Sequence, residues 1–320
     1  MIAFYIGNHG NNVHTQDILE YIDDGLRAIG EAPCFFFDKF FQSGINITLE
    51  GFNQHVTGSI IGHQRQFQHS KLFIIVSESL SEGTFNSANL QDCQQMPANH
   101  YENSGYWATR YKCFTQLLSV TSGIIANSES TYREYTNANF GVPVFYLPMA
   151  ALPTHVPITQ ISNDGKDIDI FFSGTVTEYR SGIIEQFKSF GLNVFTASTD
   201  TPEYLRRHLL ARSKLAVGLK LGESTSVLSK ARAHYCLTRR CPHLFEVVPE
   251  KTDLDPYLTF SSHADIVVAA RDLLASGCAF DKNIFEQFKS ALPYTEIFLS
   301  LNAFFQNCPV RRHPAGVNYG

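Results

Sequence analysis

Asp167-Ile-Asp-Ile-Phe-Phe-Ser-Gly-Thr-Val-Thr-Glu-Tyr-Arg180 is the stretch whose reading decides the fold. Ile168 to Phe172 reads as a short buried strand. Ser173-Gly174 and a polar turn follow it, and a helical pattern starts at about Ser181. Strand, glycine turn and helix start make half of a βαβ unit. A helix start presents free N–H groups and the positive end of a dipole, which suits an anion such as phosphate. Arg180 adds a forked, permanently charged donor close by.

Outward from this stretch the same grammar repeats. On the C-terminal side come strand Asn193–Thr196, a helix from Pro202 to Ala211, strand Leu215–Leu219, helix Leu228–Leu237 and strand Pro242–Val248. Pro202 suits a first helical turn. Residues 262–275, 282–291 and 294–306 read as helices. On the N-terminal side, Leu147-Pro148-Met149-Ala150-Ala151-Leu152-Pro153 is a proline-punctuated linker. Before it lie strands Ile2–Ile6, Cys34–Phe37, Leu72–Val76, Gly123–Ala126 and Val142–Tyr146. Helices are expected from Thr15 to Ile29, from Tyr106 to Ser119 and from Ser128 to Thr136. Ile45–Thr48 and Ser59–Ile61 read as short strands, and residues 81–106 as a long polar loop of the kind that often carries function.

Strands alternating with helices predict parallel, doubly wound sheets. The expected fold class is α/β, with two Rossmann-like domains facing a cleft. The expected divisions are 1–148, 149–300, and a tail 301–320 packing back on the first domain.

The chain has 320 residues, 44% of them apolar and 17% charged, so it is globular and long enough for about two domains. A net charge of −5 argues against a nucleic-acid binder that works through a broad basic surface. No apolar run approaches the roughly 20 residues of a membrane span, so membrane contact is expected to be peripheral at most. The N-terminus reads as a strand, with no basic region before it as in a signal peptide. Seven scattered cysteines without a Cys-x-x-Cys pair fit a reduced, cytoplasmic protein. No metal site is expected.

Ligands of parallel α/β sheets sit at the carboxyl ends of the strands. In the second half those ends carry Ser173, Gly174 and Arg180; then Lys220, Gly222, Glu223, Ser224, Thr225 and Ser226; then Ser229, Lys230 and Arg232; and Glu246. Hydroxyls, N–H groups and several cations converging there would hold a diphosphate, or charge developing on a diphosphate leaving group. Any one of these residues alone is an ordinary turn or a solvated cation. Their clustering makes the signal.

The half from Ile168 to Val248 resembles the C-terminal, donor-binding domain of GT-B glycosyltransferases. The residues that carry the resemblance are the strand ending in Ser173-Gly174 with Arg180 beyond, the Ser-rich turn after Leu219, the basic helix start, and Cys241-Pro242-His243-Leu244-Phe245-Glu246. Within that class the half is similar to bacterial family-1-like, spore-protein-like glycosyltransferases. Ile124-Ile125-Ala126-Asn127-Ser128-Glu129 and Pro148-Met149 are similar to the step that leads into the linker. The resemblance implies a nucleotide-sugar donor, with phosphate held by Arg180, Lys220 and Lys230 or Arg232, and a ribose or sugar hydroxyl received by Glu246. Ser173, Gly174, Ser226 and Ser229 complete the donor-site set. The pattern also departs from the family. The position closing a Glu-x7-Glu element after Glu246 is Leu254, and Asp167-Ile168-Asp169 stands at the wrong end of its strand for a metal-binding Asp-x-Asp. This favours leaving-group stabilisation by side chains and backbone dipoles, without a metal or other cofactor.

The first domain would then receive the acceptor, a hydroxyl of a glycan, lipid or small molecule. His14 is the candidate general base, with Asp17 at i+3 to orient it. Glu78 is a second candidate base. For His14, a loop histidine making a capping contact is an equally good reading. Rival functions are a sugar-nucleotide epimerase of the same fold, a non-catalytic two-domain binding protein, and a degenerate transferase kept as a structural partner.

Overall fold

The structure is a computed structural model. It describes residues 1–6, 16–37, 39–49, 52–67, 69–81, 83–86, 104–158, 165–198, 201–223, 225 and 227–311. The chain divides into two compact units. One comprises Met1–Thr15, Leu19–Pro148 and Thr295–Gly320, and the other Gln16–Ile18 and Met149–Tyr294.

The first unit contains β1 (Ile2–Ile6), α1 (Gln16–Ala28), β2 (Cys34–Phe37), β3 (Gly44–Thr48), α2 (Gln54–Gln66), β4 (Ser70–Val76), β5 (Leu80–Ser81), β6 (Thr84–Phe85), α3 (Ser104–Leu117), β7 (Gly123–Ala126), α4 (Glu129–Asn137) and β8 (Val144–Tyr146). The first turn of α1 groups with the second unit. Six strands form one parallel sheet in the order β2-β1-β3-β4-β7-β8. β5 and β6 form a separate antiparallel ribbon. Leu72, Ile74 and Val76 pack with Val56, Ile60, Trp107, Phe114 and Tyr135 in one core.

One expected strand is overturned. Ser59–Ile61 lies inside α2. Two β-branched isoleucines invite a strand reading, but Val56, Ile60 and Gln64 are buried at a spacing of four, the helical repeat. The side chain of Asn53 accepts from the Val56 N–H and caps the helix start. The loop expected over 81–106 also gives way at both ends, to the β5–β6 ribbon and to α3 from Ser104. Its middle lies outside the described residues.

The second unit contains β9 (Ile168–Ser173), α5 (Glu178–Ser189), β10 (Val194–Ala197), α6 (Glu203–Ala211), β11 (Ser213–Gly218), α7 (Lys230–Thr238), β12 (His243–Glu246), β13 (Phe260–Ser261), α8 (Ile266–Ala275) and α9 (Lys282–Ala291). Its sheet is parallel throughout, in the order β10-β9-β11-β12-β13. Alternate side chains go to opposite cores, as a period of two requires. Phe171, Ala216 and Phe245 pack on one face. Ile170, Phe172, Leu215, Val217 and Leu244 pack on the other. Burial on both faces explains why these strands are nearly all apolar. The last helix, α10 (Tyr294–Asn307), runs into the first unit from Thr295 onward. Its Phe304 and Phe305 pack on Phe73.

Both sheets share one logic. In each, the second strand lies on one side of the first and the third on the other. That places a topological switch point between β1 and β3, and another between β9 and β11. The crevice beyond the carboxyl ends at such a point is where open α/β sheets bind ligands. The β1 turn, residues 7–15, lies outside the described residues. The turns at the β9–β11 crevice lie within the described residues apart from Ser224 and Ser226.

Candidate anion site at the second switch point

The strand β9 ends in Ser173, and Gly174 follows with φ +135°. L side chains rarely adopt that backbone conformation. A Cβ at Gly174 would also stand 2.4 Å from Nη2 of Arg232. Glycine is therefore required twice over, once by the turn and once by the guanidinium lying against it.

Arg232 is the third residue of α7, and its guanidinium lies 5.2 Å from the centre of the Phe172 ring. As a residue it is only half-buried, yet its Nη1 is buried and has no hydrogen-bond partner. Among the described residues the guanidinium makes no hydrogen bond and no ion pair. Burial, with nearby Arg206 acting in the same direction and Cys236 opposing, lowers its pKa to about 10. It stays charged at neutral pH. A buried charge without a partner is costly unless a ligand completes it.

Ser229 is the N-cap of α7, is exposed, and makes no side-chain capping bond. The first N–H groups of a helix have no partner within it. By contrast, Thr177 caps α5 with its own side chain, which accepts from the Arg180 N–H.

Arg180 has a different part. Its Nε donates to Lys220 O at 2.7 Å, Nη1 to Thr175 O at 2.7 Å and Nη2 to Leu219 O at 2.9 Å. The guanidinium ties the turn after β9 to the turn after β11, across the switch point. It lies 5.3 Å from the Phe172 ring centre, so both arginines share that ring. Burial and the neighbouring Arg232 push its pKa well below the usual arginine range, and Glu246 opposes them.

Lys220 Nζ donates to Glu223 O at 3.1 Å and stands 3.7 Å from Glu246 Oε1. Glu246 is 1% exposed, and both its oxygens are engaged. Oε2 accepts from the Lys220 N–H at 2.9 Å. Oε1 accepts from the Tyr179 hydroxyl and lies 3.3 Å from Nδ1 of His263. That Nδ1 is also 2.7 Å from the Tyr179 oxygen. Burial, followed by the bond to Glu246, pushes the Tyr179 pKa up, so the phenol keeps its proton and donates it to Glu246. The proton on His263 Nδ1 then points to the phenol oxygen. The imidazole of His263 is half-exposed.

Lys230 is buried, and its Nζ lies 2.7 Å from an oxygen of Asp253. Its charge is matched within the fold. Asp167 pairs with Arg212, and Asp169 with Lys214 at 2.7 Å, both at the amino ends of the strands. Ser226 lies outside the described residues. The structure thus brings Ser173, Gly174, Arg180, Lys220, Ser229, Arg232 and Glu246 to one end of one sheet.

The expected acceptor-side residues are His14, Asp17 and Glu78. His14 lies outside the described residues. Both oxygens of Asp17 accept from Arg206, at 2.8 and 2.5 Å. Glu78 accepts from Arg110 Nη2 at 3.1 Å and from Asn86 Nδ2 at 2.6 Å. Each of the two carboxylates is held by an arginine.

Tyr179 and His263 went unnoticed in the sequence reading. Tyr179 lies inside the opening stretch, between Glu178 and Arg180. His263 follows β13, a strand of two residues that leaves no periodic trace.

Among solved structures, the chain is similar to TarM with a TM-score of 0.50 and 11% identity, over 83% of this chain and 56% of that one. It is also similar to a chain from the structure of accessory secretory protein 1, 2 and 3 in Streptococcus pneumoniae, with a TM-score of 0.42 and 10% identity, over 82% of this chain and 53% of that one. The chain thus spans little more than half the length of each. The TarM likeness shows a shared fold of two Rossmann-like domains. No protein-family model and no curated protein sequence matches. Among the described residues, no helix is long and apolar enough to cross a membrane.

Proposed function

We propose that the chain is a glycosyltransferase that moves a sugar from a nucleotide-sugar donor to a hydroxyl of a glycan, lipid or small molecule. The observation that carries this reading is Arg232, a charged and partly buried guanidinium with no hydrogen-bond or ion-pair partner among the described residues. It sits against Gly174 at the switch point, beside an uncapped helix start. The two-domain fold fits the reading, since TarM is itself a glycosyltransferase.

In this reading the donor diphosphate lies over Gly174. Arg232 and the α7 N–H groups take its charge, with Lys220 at the edge. The bond from the anomeric carbon to the phosphate oxygen breaks as the acceptor oxygen bonds to that carbon. The electron pair leaves on the diphosphate, where preorganised donors lower the barrier. The acceptor proton passes to a base on the first unit, for which His14 is the candidate. Arg180 acts as the brace that fixes the two turns, and Glu246 as the anchor that fixes Tyr179 and His263. Both carboxylate oxygens of Glu246 are already engaged, so the hydroxyl is received by the cluster Glu246 anchors, whose exposed member is His263.

A thermal-shift panel of UDP, GDP, TDP and CMP sugars tests this. A ligand that binds only the folded state raises the midpoint by mass action. One nucleotide class raising it supports the reading. No shift with any of the four contradicts it.

A further inference from the structure

Phe172 is the last residue but one of β9 and is 0% exposed. It pairs with Thr196 of β10 on one side and Val217 of β11 on the other. The ladder thus fixes its place at the switch point from both sides. An aliphatic side chain could fill this part of the core. What an aromatic ring adds is a negative face.

The guanidinium carbons of Arg180 and Arg232 stand 5.3 and 5.2 Å from the centre of that ring. Arg180 needs no ring to hold it, because three backbone carbonyls do so. Arg232 has no such tether among the described residues, and the like charge of Arg180 repels it. A Cβ on Gly174 would stand 2.4 Å from Nη2 of Arg232 and 3.6 Å from Cζ of Phe172. Ring, guanidinium and glycine therefore meet at one point. A carboxylate or a carbonyl would hold Arg232 only by taking up its N–H groups. An aromatic face holds the charge and takes up none.

We propose that Phe172 is the positioning residue of the anion site: its ring holds Arg232 against Gly174 and leaves the N–H groups for the diphosphate. The proposal rests on the reading of the crevice as a donor site. Phe172 is buried, so it acts through Arg232 and not on the substrate.

The test is calorimetric titration of the full chain with inorganic pyrophosphate, beside the thermal unfolding midpoint of each variant. The parent should bind saturably, one to one. Pentafluorophenylalanine at position 172 keeps the ring and reverses the charge of its faces. It should weaken binding about tenfold. Phe187→Leu, at another fully buried position of the same core, should lower the midpoint and leave the affinity unchanged. In an Arg232→Gln background, itself a weak binder, the fluorinated ring should make no further difference. Unchanged affinity with the fluorinated ring overturns the role of Phe172 alone. So does a fluorinated ring that still weakens binding after Arg232→Gln. No saturable binding by the parent, or full affinity in Arg232→Gln, contradicts the anion site itself and overturns both readings.

Discussion

Nη2 of Arg232 occupies the space that a side chain on Gly174 would need, 2.4 Å from the position of its Cβ. The two residues are far apart in sequence and come from different βα turns. Gly174→Ala therefore carries two costs: the positive φ, about 1–2 kcal/mol, and the displacement of the guanidinium. Chemical denaturation should show a loss of about 2 kcal/mol or more, and nucleotide affinity should fall with it. A variant as stable as the parent would mean that Arg232 moves aside freely.

Lys230 and Arg232 are two residues apart and behave oppositely. Lys230→Ala removes the cation that half-buried Asp253 faces at 2.7 Å, at a cost of about 1–3 kcal/mol. Lys230→Met with Asp253→Leu should recover most of that, because an apolar pair needs no charge compensation. A double-mutant cycle in urea reads this out. Additive losses would show that the pair is not coupled.

Much of the architecture is visible in the sequence because the strands are buried on both faces. Continuous runs such as Ile168–Phe172 and Leu72–Val76 admit few other readings. α2 escapes because Gly58, Ser59 and Gly62 dilute its helical periodicity, and the Ile60-Ile61 pair imitates a strand. At the site, residue type and rough position are legible, since strand ends and helix starts carry the cations. Which cation is free is not. Arg180 is engaged by carbonyls of a distant turn and Lys230 by a carboxylate past the next strand, and those partners exist only in three dimensions. Neither does a carboxylate in a strand reveal that its lone pairs are taken, as those of Glu246 are by Tyr179, Lys220 and His263.

Gly58 and Gly62 face open space, so their replacement by alanine relieves a helix penalty without a clash. Gly58→Ala should raise stability by about 0.5–1 kcal/mol. Thermal and urea unfolding both report it. A loss of stability would show that α2 packs more closely than described.

His234 donates from Nε2 to Ala150 O and packs against His155. Burial holds its pKa down at about 4, and that of His155 at about 2. An unfolded histidine titrates near 6.5. Between that value and the folded one, the unfolded chain binds the extra proton. The contribution to stability is therefore whole above about pH 6.5 and is lost as pH falls toward 4. His234→Gln should flatten the slope of stability against pH between about 5 and 6.5, before most carboxylates titrate. An unchanged slope would mean that the imidazole is solvated.

The most direct measurement of the central claim is nucleotide-sugar affinity in Arg232→Gln, read beside the stability of the unliganded protein. Removing a partnerless, desolvated charge should leave the free protein as stable as before or more so. Losing a charge-assisted bond to phosphate should weaken donor binding by about tenfold or more. A variant that binds the donor as the parent does would contradict the assignment of the site.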